Sequence, residues 1–236
     1  MTFARGPPGF VPIILRDRRR MSTNNFVTVS KYLGEHRLQS FLNVTHGNLG
    51  QTLELYTWNA KISAEVFIIL ADVEIVLRNV IDLELQKFNA TLGNNLTWLD
   101  ELHQYGPPIR RLDIERAKHF LLVDGKTLSH SNIVSQLNFG FWRSFLVKWN
   151  KDYLWPNALR YAFPHSPSRQ PEYIFTRVRH LHVLPNRIAH HEPIHNRDIA
   201  RDFQMCIEVL NAISPPVAAW STKNSRVLQV LAEKPR

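Results

Sequence analysis

An all-α fold is predicted by three observations. Apolar residues recur at intervals of three and four through most of the chain, alternation over a strand length between turn signals is absent, and Ser, Asp and Pro stand where helices would start and stop. No internal repeat accompanies the pattern.

Residues 1–25 combine Gly6-Pro7-Pro8 with Arg18-Arg19-Arg20, a composition that cannot pack a core and reads as a basic disordered tail. Met21 offers an alternative start, which would leave residues 1–20 untranslated. A helical period begins at Val29, with Ser30 as cap and Leu33, Leu38, Phe41 and Leu42 as its apolar positions. From Gln51 to Phe88 the same spacing continues through Leu53, Tyr56, Ile62, Val66, Leu70, Val73, Leu77 and Leu83, expected as two helices broken near Trp58–Ser63. Glu74 and Arg78 lie one turn apart there and are expected to pair.

After the punctuation of Gly93–Asn95 and Gly106-Pro107-Pro108, a short helix is expected over Ile109–Leu122. Gly125-Lys126-Thr127 is not a phosphate loop, because Phe120 stands where the upstream glycine is required. Ser129 or Ser131 caps the next helix. In Leu137–Trp149 the residues Phe139, Trp142, Phe145 and Trp149 keep helical spacing and are assigned to the core, with base stacking the alternative because Arg143 and Lys148 are interleaved. A short helix over Tyr153–Phe163 ends at Pro164, and a long one runs from Arg169 to His190 on Ile174, Val178, Leu181, Leu184 and Ile188. Asn196 or Asp198 opens a last long helix that Pro215-Pro216 stops. These elements make one helical domain over 26–221, followed by a tail over 222–236.

With 236 residues, 44% of them hydrophobic, the chain can bury a sizeable core. Its best candidate for a membrane span, Val66–Leu77, carries Asp72 and Glu74, so no membrane partner is expected. The single cysteine, Cys206, excludes an intramolecular disulfide framework and a multi-thiolate zinc site, and Gly9–Leu15 is too short for a signal core; a cytoplasmic location is expected. The net charge of +9 is uneven. Residues 1–20 carry +4, residues 21–138 carry −2, and residues 139–236 hold fourteen basic and seven acidic side chains, a net +7. Such a half attracts a phosphate-rich partner and holds it less tightly as salt rises.

The densest chemistry lies in Leu184–Ile194, LPNRIAHHEPI. On a continuous helix His182, Asn186 and His190 are spaced by four and Arg179 precedes them by three, which places all four on one stripe; Arg187 and His191 form a neighbouring pair. Glu192-Pro193 is expected to end the helix between the two adjacent histidines. His191 to His195 also matches HExxH, the pattern of a zinc hydrolase, but Pro193 inside it breaks the helical face that zinc capture needs, so no metal or cofactor is expected. Packing alone does not explain His182, His190, His191 and His195 beside Arg179, Arg187 and Arg197, since burying such a cationic cluster unpaired is costly. The remaining reading is metal-independent acid-base chemistry on a phosphodiester, with an imidazole moving the proton and a guanidinium stabilising phosphoryl charge.

LPNRIAHHEPI resembles the RNRxAHHEPI signature of the Abi-like (abortive infection) proteins, a branch of the HEPN superfamily. Val73–Leu83 (VEIVLRNVIDL) is similar to that family's E-x-x-LRN helix, Leu137–Leu146 to its LxFGFW segment, and Leu154–Phe163 (LWPNALRYAF) to the block that follows. The resemblance covers roughly Val29–Trp220. It implies a HEPN-like helical bundle with additional helices, a homodimer with a shared cleft, RNA as partner and metal-independent endoribonuclease activity through an R-x4-6-H motif. A role in phage defence or as a toxin, with a neutralising antitoxin partner, goes with it. Carried onto this chain, it makes His190 the general acid or base, assisted by His191 or Arg187, with Asn186 positioning; Arg78, Arg179, His182, Arg143 and His195 are the candidate binding residues. One departure matters. Pro185 occupies the position of the motif's arginine, supplies no guanidinium and should kink the helix. A second reading therefore stays open, a module of the same fold that binds RNA or a partner without turnover.

Overall fold

The computed structural model describes residues 23–93, 97–101 and 110–235, and every regular element among them is helical. The chain forms two compact units, residues 1–54 and 55–236.

In the first unit, α1 (Thr23–Leu33) and α2 (Glu35–Val44) are joined by Gly34, whose φ of +87° only glycine adopts without strain. The helix begins six residues before the position expected from Val29. Phe26, Val29 and Leu33 share one face, so the apolar period already includes Phe26, and Ser30 lies inside the helix rather than capping it. Residues 23–25 are thus helical, while residues 1–22 lie outside the described residues. Thr45 and Thr52 share a 2.6 Å hydroxyl hydrogen bond across the turn into α3 (Leu49–Thr91).

The 43 residues of α3 form one helix, not two. Trp58–Ser63 contains no proline or glycine, and its polar and aromatic groups are used by distant parts of the second unit. The Asn59 Oδ1 accepts the Ile194 N–H at 2.9 Å, and the Trp58 Nε1 donates to the Val230 carbonyl at 2.7 Å. Ile62, Val66, Ile69, Val73, Leu77, Ile81 and Leu85 form the buried stripe of this helix.

After it, α4 (Arg110–Val123) packs on α5 (His130–Gln136), which reaches α3 through His130 and Asp82, and α6 (Phe139–Arg143) follows. Ser129 caps α5 by accepting the Asn132 N–H, and Asn138 caps α6 by accepting the Phe141 N–H. Trp98, Phe141, Trp142 and Phe145 form an aromatic cluster, and the Asp82 carboxylate accepts from the Trp98 Nε1 and bonds the His130 Nε2, both at 2.8 Å. Phe139, Trp142 and Phe145 are buried as core residues, but their segment is not one long helix. It stops at Arg143, because the Ser144 hydroxyl and the Asn150 amide donate to the Phe141 and Phe145 carbonyls and so replace helical bonds; the Trp149 side chain lies outside the described residues.

Similarly, the expected helix over Tyr153–Phe163 is a single turn, α7 (Leu154–Asn157), followed by a 3₁₀ turn over Leu159–Ala162. The long C-terminal helix is divided at His182 into α8 (Glu172–Leu181) and α9 (Val183–Ala189). Asp198 caps α10 (Ile199–Ile213) by accepting the Arg201 N–H at 2.9 Å. Pro215-Pro216 ends that helix and starts the next, α11 (Pro215–Asn224), since the first turn of a helix needs no proline amide.

Residues 222–236, expected as a tail, contain α12 (Val227–Ala232), which closes the core. Val227 and Val230 are buried, and Lys234 Nζ donates to the His195 carbonyl at 2.7 Å. The tail's hydrophobic positions are few, and the groups it meets, α10 and the Trp58 indole, are distant in sequence, which local periodicity does not reveal. Among the described residues, no helix is long and apolar enough to cross a membrane.

Replacing Trp58 by Phe removes the buried indole bond and leaves the Val230 carbonyl with the Glu233 N–H as its remaining donor, which is expected to cost about 0.5–1.5 kcal/mol. A urea midpoint lowered with unchanged slope is the expected signature.

Candidate functional site

The break at His182 decides how the histidine segment is built. His182, between α8 and α9, keeps helical dihedrals (φ −55°, ψ −26°), and this one-residue joint falls where Pro185 has no N–H to offer the Leu181 carbonyl, as expected of a proline inside a helix. Arg179 thus lies before this joint and Asn186 and His190 after it, with His182 at the joint itself. The His182 ring stacks on Phe139 at 6.1 Å, and burial, reinforced by Arg143 and Arg110, lowers its pKa so that the neutral imidazole is favoured.

His190 is the C-cap of α9, with its N–H on the Asn186 carbonyl, and both side chains are exposed. His191 follows with φ +54°, its N–H on the Ile188 carbonyl, and the Glu192 N–H reaches the Arg187 carbonyl. This is a Schellman ending with a histidine where glycine is usual. The helix does end between the two histidines, which divides them between a cap and a left-handed residue.

Arg187 is tied to the loop beyond its own helix. Its Nη2 donates to the Pro193 carbonyl at 3.0 Å and its Nε lies 3.3 Å from the Glu192 carboxylate. His195 is buried, with its pKa lowered by burial and then by Lys234. His191 and His195 thus stand on a loop, one exposed and one buried, rather than on a helical face, and the described residues hold no group of three or more His, Cys, Asp or Glu able to bind a metal. Arg78 is half-buried on α3 and donates from Nε to Asn79. Its expected ion pair with Glu74 does not close. Glu74 is held above its ordinary pKa by burial, offset in part by the Phe139 N–H and by the field of Arg78.

Arg143 and Arg179 meet. They line a 350 Å³ cleft between α6 and α8 together with Lys148 and Lys151, over a floor formed by Leu146 and Phe175. Glu172 is the only carboxylate in this lining and bonds Lys151 at 2.7 Å, which raises the lysine's pKa and lowers the glutamate's. The Arg143 Nε is cut off from solvent and has no partner among the described residues.

A third group escaped the sequence reading. His180 Nε2 lies 2.6 Å from the carboxylate of buried Asp202, which Arg197 grips through Nε and Nη2, both at 2.9 Å. The signal was present, since Asp202 falls on the apolar period of Ile199, Phe203, Cys206 and Val209, where an unpaired acid would be costly. Beside it Arg177 and Arg201 both bind Glu208. Most arginines from Arg177 to Arg201 are consequently neutralised within the fold, whereas Arg143, Lys148 and Arg179 in the cleft form no ion pair with a described residue.

Comparison of the chain with protein-family models, curated proteins and solved structures returns no match.

Two outcomes follow. Asp202→Asn removes the charge that Arg197 and His180 face and replaces one of its two acceptor oxygens by a donor amide, and is expected to cost about 3 kcal/mol, read as a lowered melting temperature. His182 and His195 have folded-state pKa values below the ordinary 6.5, so the unfolded chain binds protons first. Their contribution is complete above that pH and is lost as pH falls through the lowered values; urea midpoints should drop as pH is taken below 6.5, less steeply in His182→Phe.

Proposed function

We propose that this chain is an RNA-binding protein of the Abi-like HEPN type, holding RNA phosphates in the basic cleft between α6 and α8. The observation that carries the reading is the distribution of paired and unpaired charge. Arg177, Arg187, Arg197 and Arg201 are spent on internal carboxylates, and the spare cations Arg143, Lys148 and Arg179 converge on one concave surface. Convergent guanidinium groups over a partly apolar floor suit phosphate oxygens, which accept several N–H donors at once. The ordered motifs of the family supply the type, and with it go a cytoplasmic homodimer, a neutralising partner and a role in phage defence.

Within this reading binding without turnover is favoured over endoribonuclease activity. Pro185 has no guanidinium to offer, and Arg187, the nearest arginine in sequence, is held by Glu192 and the Pro193 carbonyl. One observation supports the enzyme. The His190 imidazole is exposed at a helix end and, among the described residues, makes no side-chain hydrogen bond, as a general acid or base requires.

The test is incubation of purified protein with structured and total RNA in EDTA, comparing wild type with Arg143→Ala/Arg179→Ala and His190→Ala. Wild type and His190→Ala are expected to retain RNA unshortened. The double variant should bind at least tenfold more weakly, with a salt slope reduced by about two. RNA shortening that His190→Ala abolishes would establish the enzyme instead, and absence of RNA binding by wild type at low salt would overturn the whole reading.

A further inference from the structure

Beyond Lys151 the basic cleft opens into a second and larger one of 780 Å³, built by the α7 turn, the 3₁₀ turn and the loop leading into α8. Its chemistry differs from that of its neighbour. Trp155, Phe163 and Pro164 supply apolar wall, Lys151, Arg160 and Arg169 supply positive charge against one carboxylate, Asp152, and Tyr161 presents an exposed ring. Arg160 lies over that ring, 4.6 Å from its centre, and bonds its hydroxyl at 2.6 Å, so the guanidinium and the phenol form one stacked pair at the cleft edge. Neither Arg160 nor Arg169 makes an ion pair with a described residue. The rigidity of the wall comes from Trp155, which stacks on Phe163, packs edge-on against Phe175 and donates its Nε1 to the Arg169 carbonyl at 3.0 Å.

A phosphate alone would need only the cations, and an apolar ligand only the walls. A nucleotide needs both, a flat surface for the base and a guanidinium for the phosphate, and the volume lies within the range of about 300–1,000 Å³ typical of small-molecule sites. Lys151 lines both clefts, so phosphates of one strand can pass from Arg143 and Arg179 to Arg160 and Arg169. A paired base in an A-form helix keeps its faces inside the stack and cannot reach such a wall, whereas an unpaired base can turn out to meet it.

We infer that the larger cleft is a subsite for an unpaired base of single-stranded RNA, with the Arg160–Tyr161 pair as stacking platform and Arg169 as contact for the adjoining phosphate. This rests on the RNA-binding reading above and adds strand type and a base-contacting site to it.

The experiment measures, by fluorescence anisotropy, binding of a labelled ten-nucleotide single strand and of a blunt duplex of the same sequence. It compares the wild type, Tyr161→Ala, Tyr161→Phe, Arg160→Ala/Arg169→Ala and Arg143→Ala/Arg179→Ala, with unlabelled uridine and adenosine monophosphates as competitors. Tyr161→Ala should weaken single-strand binding about tenfold and leave duplex binding unchanged, while Tyr161→Phe keeps the ring and full affinity. Arg160→Ala/Arg169→Ala should lose single-strand affinity with a shallower salt slope, and Arg143→Ala/Arg179→Ala should weaken both ligands. Unchanged thermal melting of the Tyr161 and Arg160/Arg169 variants is expected from their surface positions. If neither of these variants affects the single strand while Arg143→Ala/Arg179→Ala still does, the subsite is wrong and the RNA-binding reading stands. If wild type binds neither RNA, both fail. Competition by a mononucleotide as effective as by the oligonucleotide would overturn the strand track in favour of a free-nucleotide site.

Discussion

Asp202 lies on the apolar face of α10 with 2% of its surface exposed, and a carboxylate in that position is tolerated only because Arg197 and His180 reach it from outside the helix. Much of the C-terminal half depends on this. Arg197 comes from the loop that follows the histidine segment and His180 from the last turn of α8, so one buried acid holds the loop, α8 and α10 in register. The neighbouring bridges of Glu208 to Arg177 and Arg201 extend the same seam along α10, with Arg177 laid across the Tyr173 ring.

That seam also sorts the charge. A net +7 over residues 139–236 says little by itself, because basic residues can be consumed in holding a fold together. Here the cations of the α8–α10 seam and of the histidine loop are consumed, and those around α6 and the α7 turn are not. Within residues 139–235, a polyanion that enters the two clefts therefore meets cations that no described carboxylate has already neutralised, Arg143, Lys148 and Arg179 in one and Arg160 and Arg169 in the other.

Legibility in the sequence followed the range of the interactions. Elements whose start and packing are encoded within a turn were readable: the Ser129 and Asp198 caps, the apolar period of α10, the end of α9 between His190 and His191. Elements decided by distant partners were not. The polar residues near Trp58 looked like a helix break because Ile194 and Val230, which use Asn59 and Trp58, are more than 130 residues away. The aromatic run after Leu137 kept helical spacing, yet Ser144 and Asn150 divert its backbone bonds. At the candidate site, Arg143 and Arg179 were both nominated, but nothing local placed them in one cleft. His180 was passed over because its partner lies 22 residues on.

The position of α12 sets an order of events during synthesis. Trp58 is made well before its acceptor, Val230, so a sequence separation of 172 residues must be spanned before this contact forms. Until α12 emerges from the ribosome, the Trp58 indole and the apolar surface that Val227 and Val230 will cover remain available to chaperones or to other chains. Closing so long a loop is entropically costly and slow relative to the local helices. The second unit can complete its core only once Val227–Ala232 has been made, and a message interrupted shortly before Val227 would release a chain already helical and still open there.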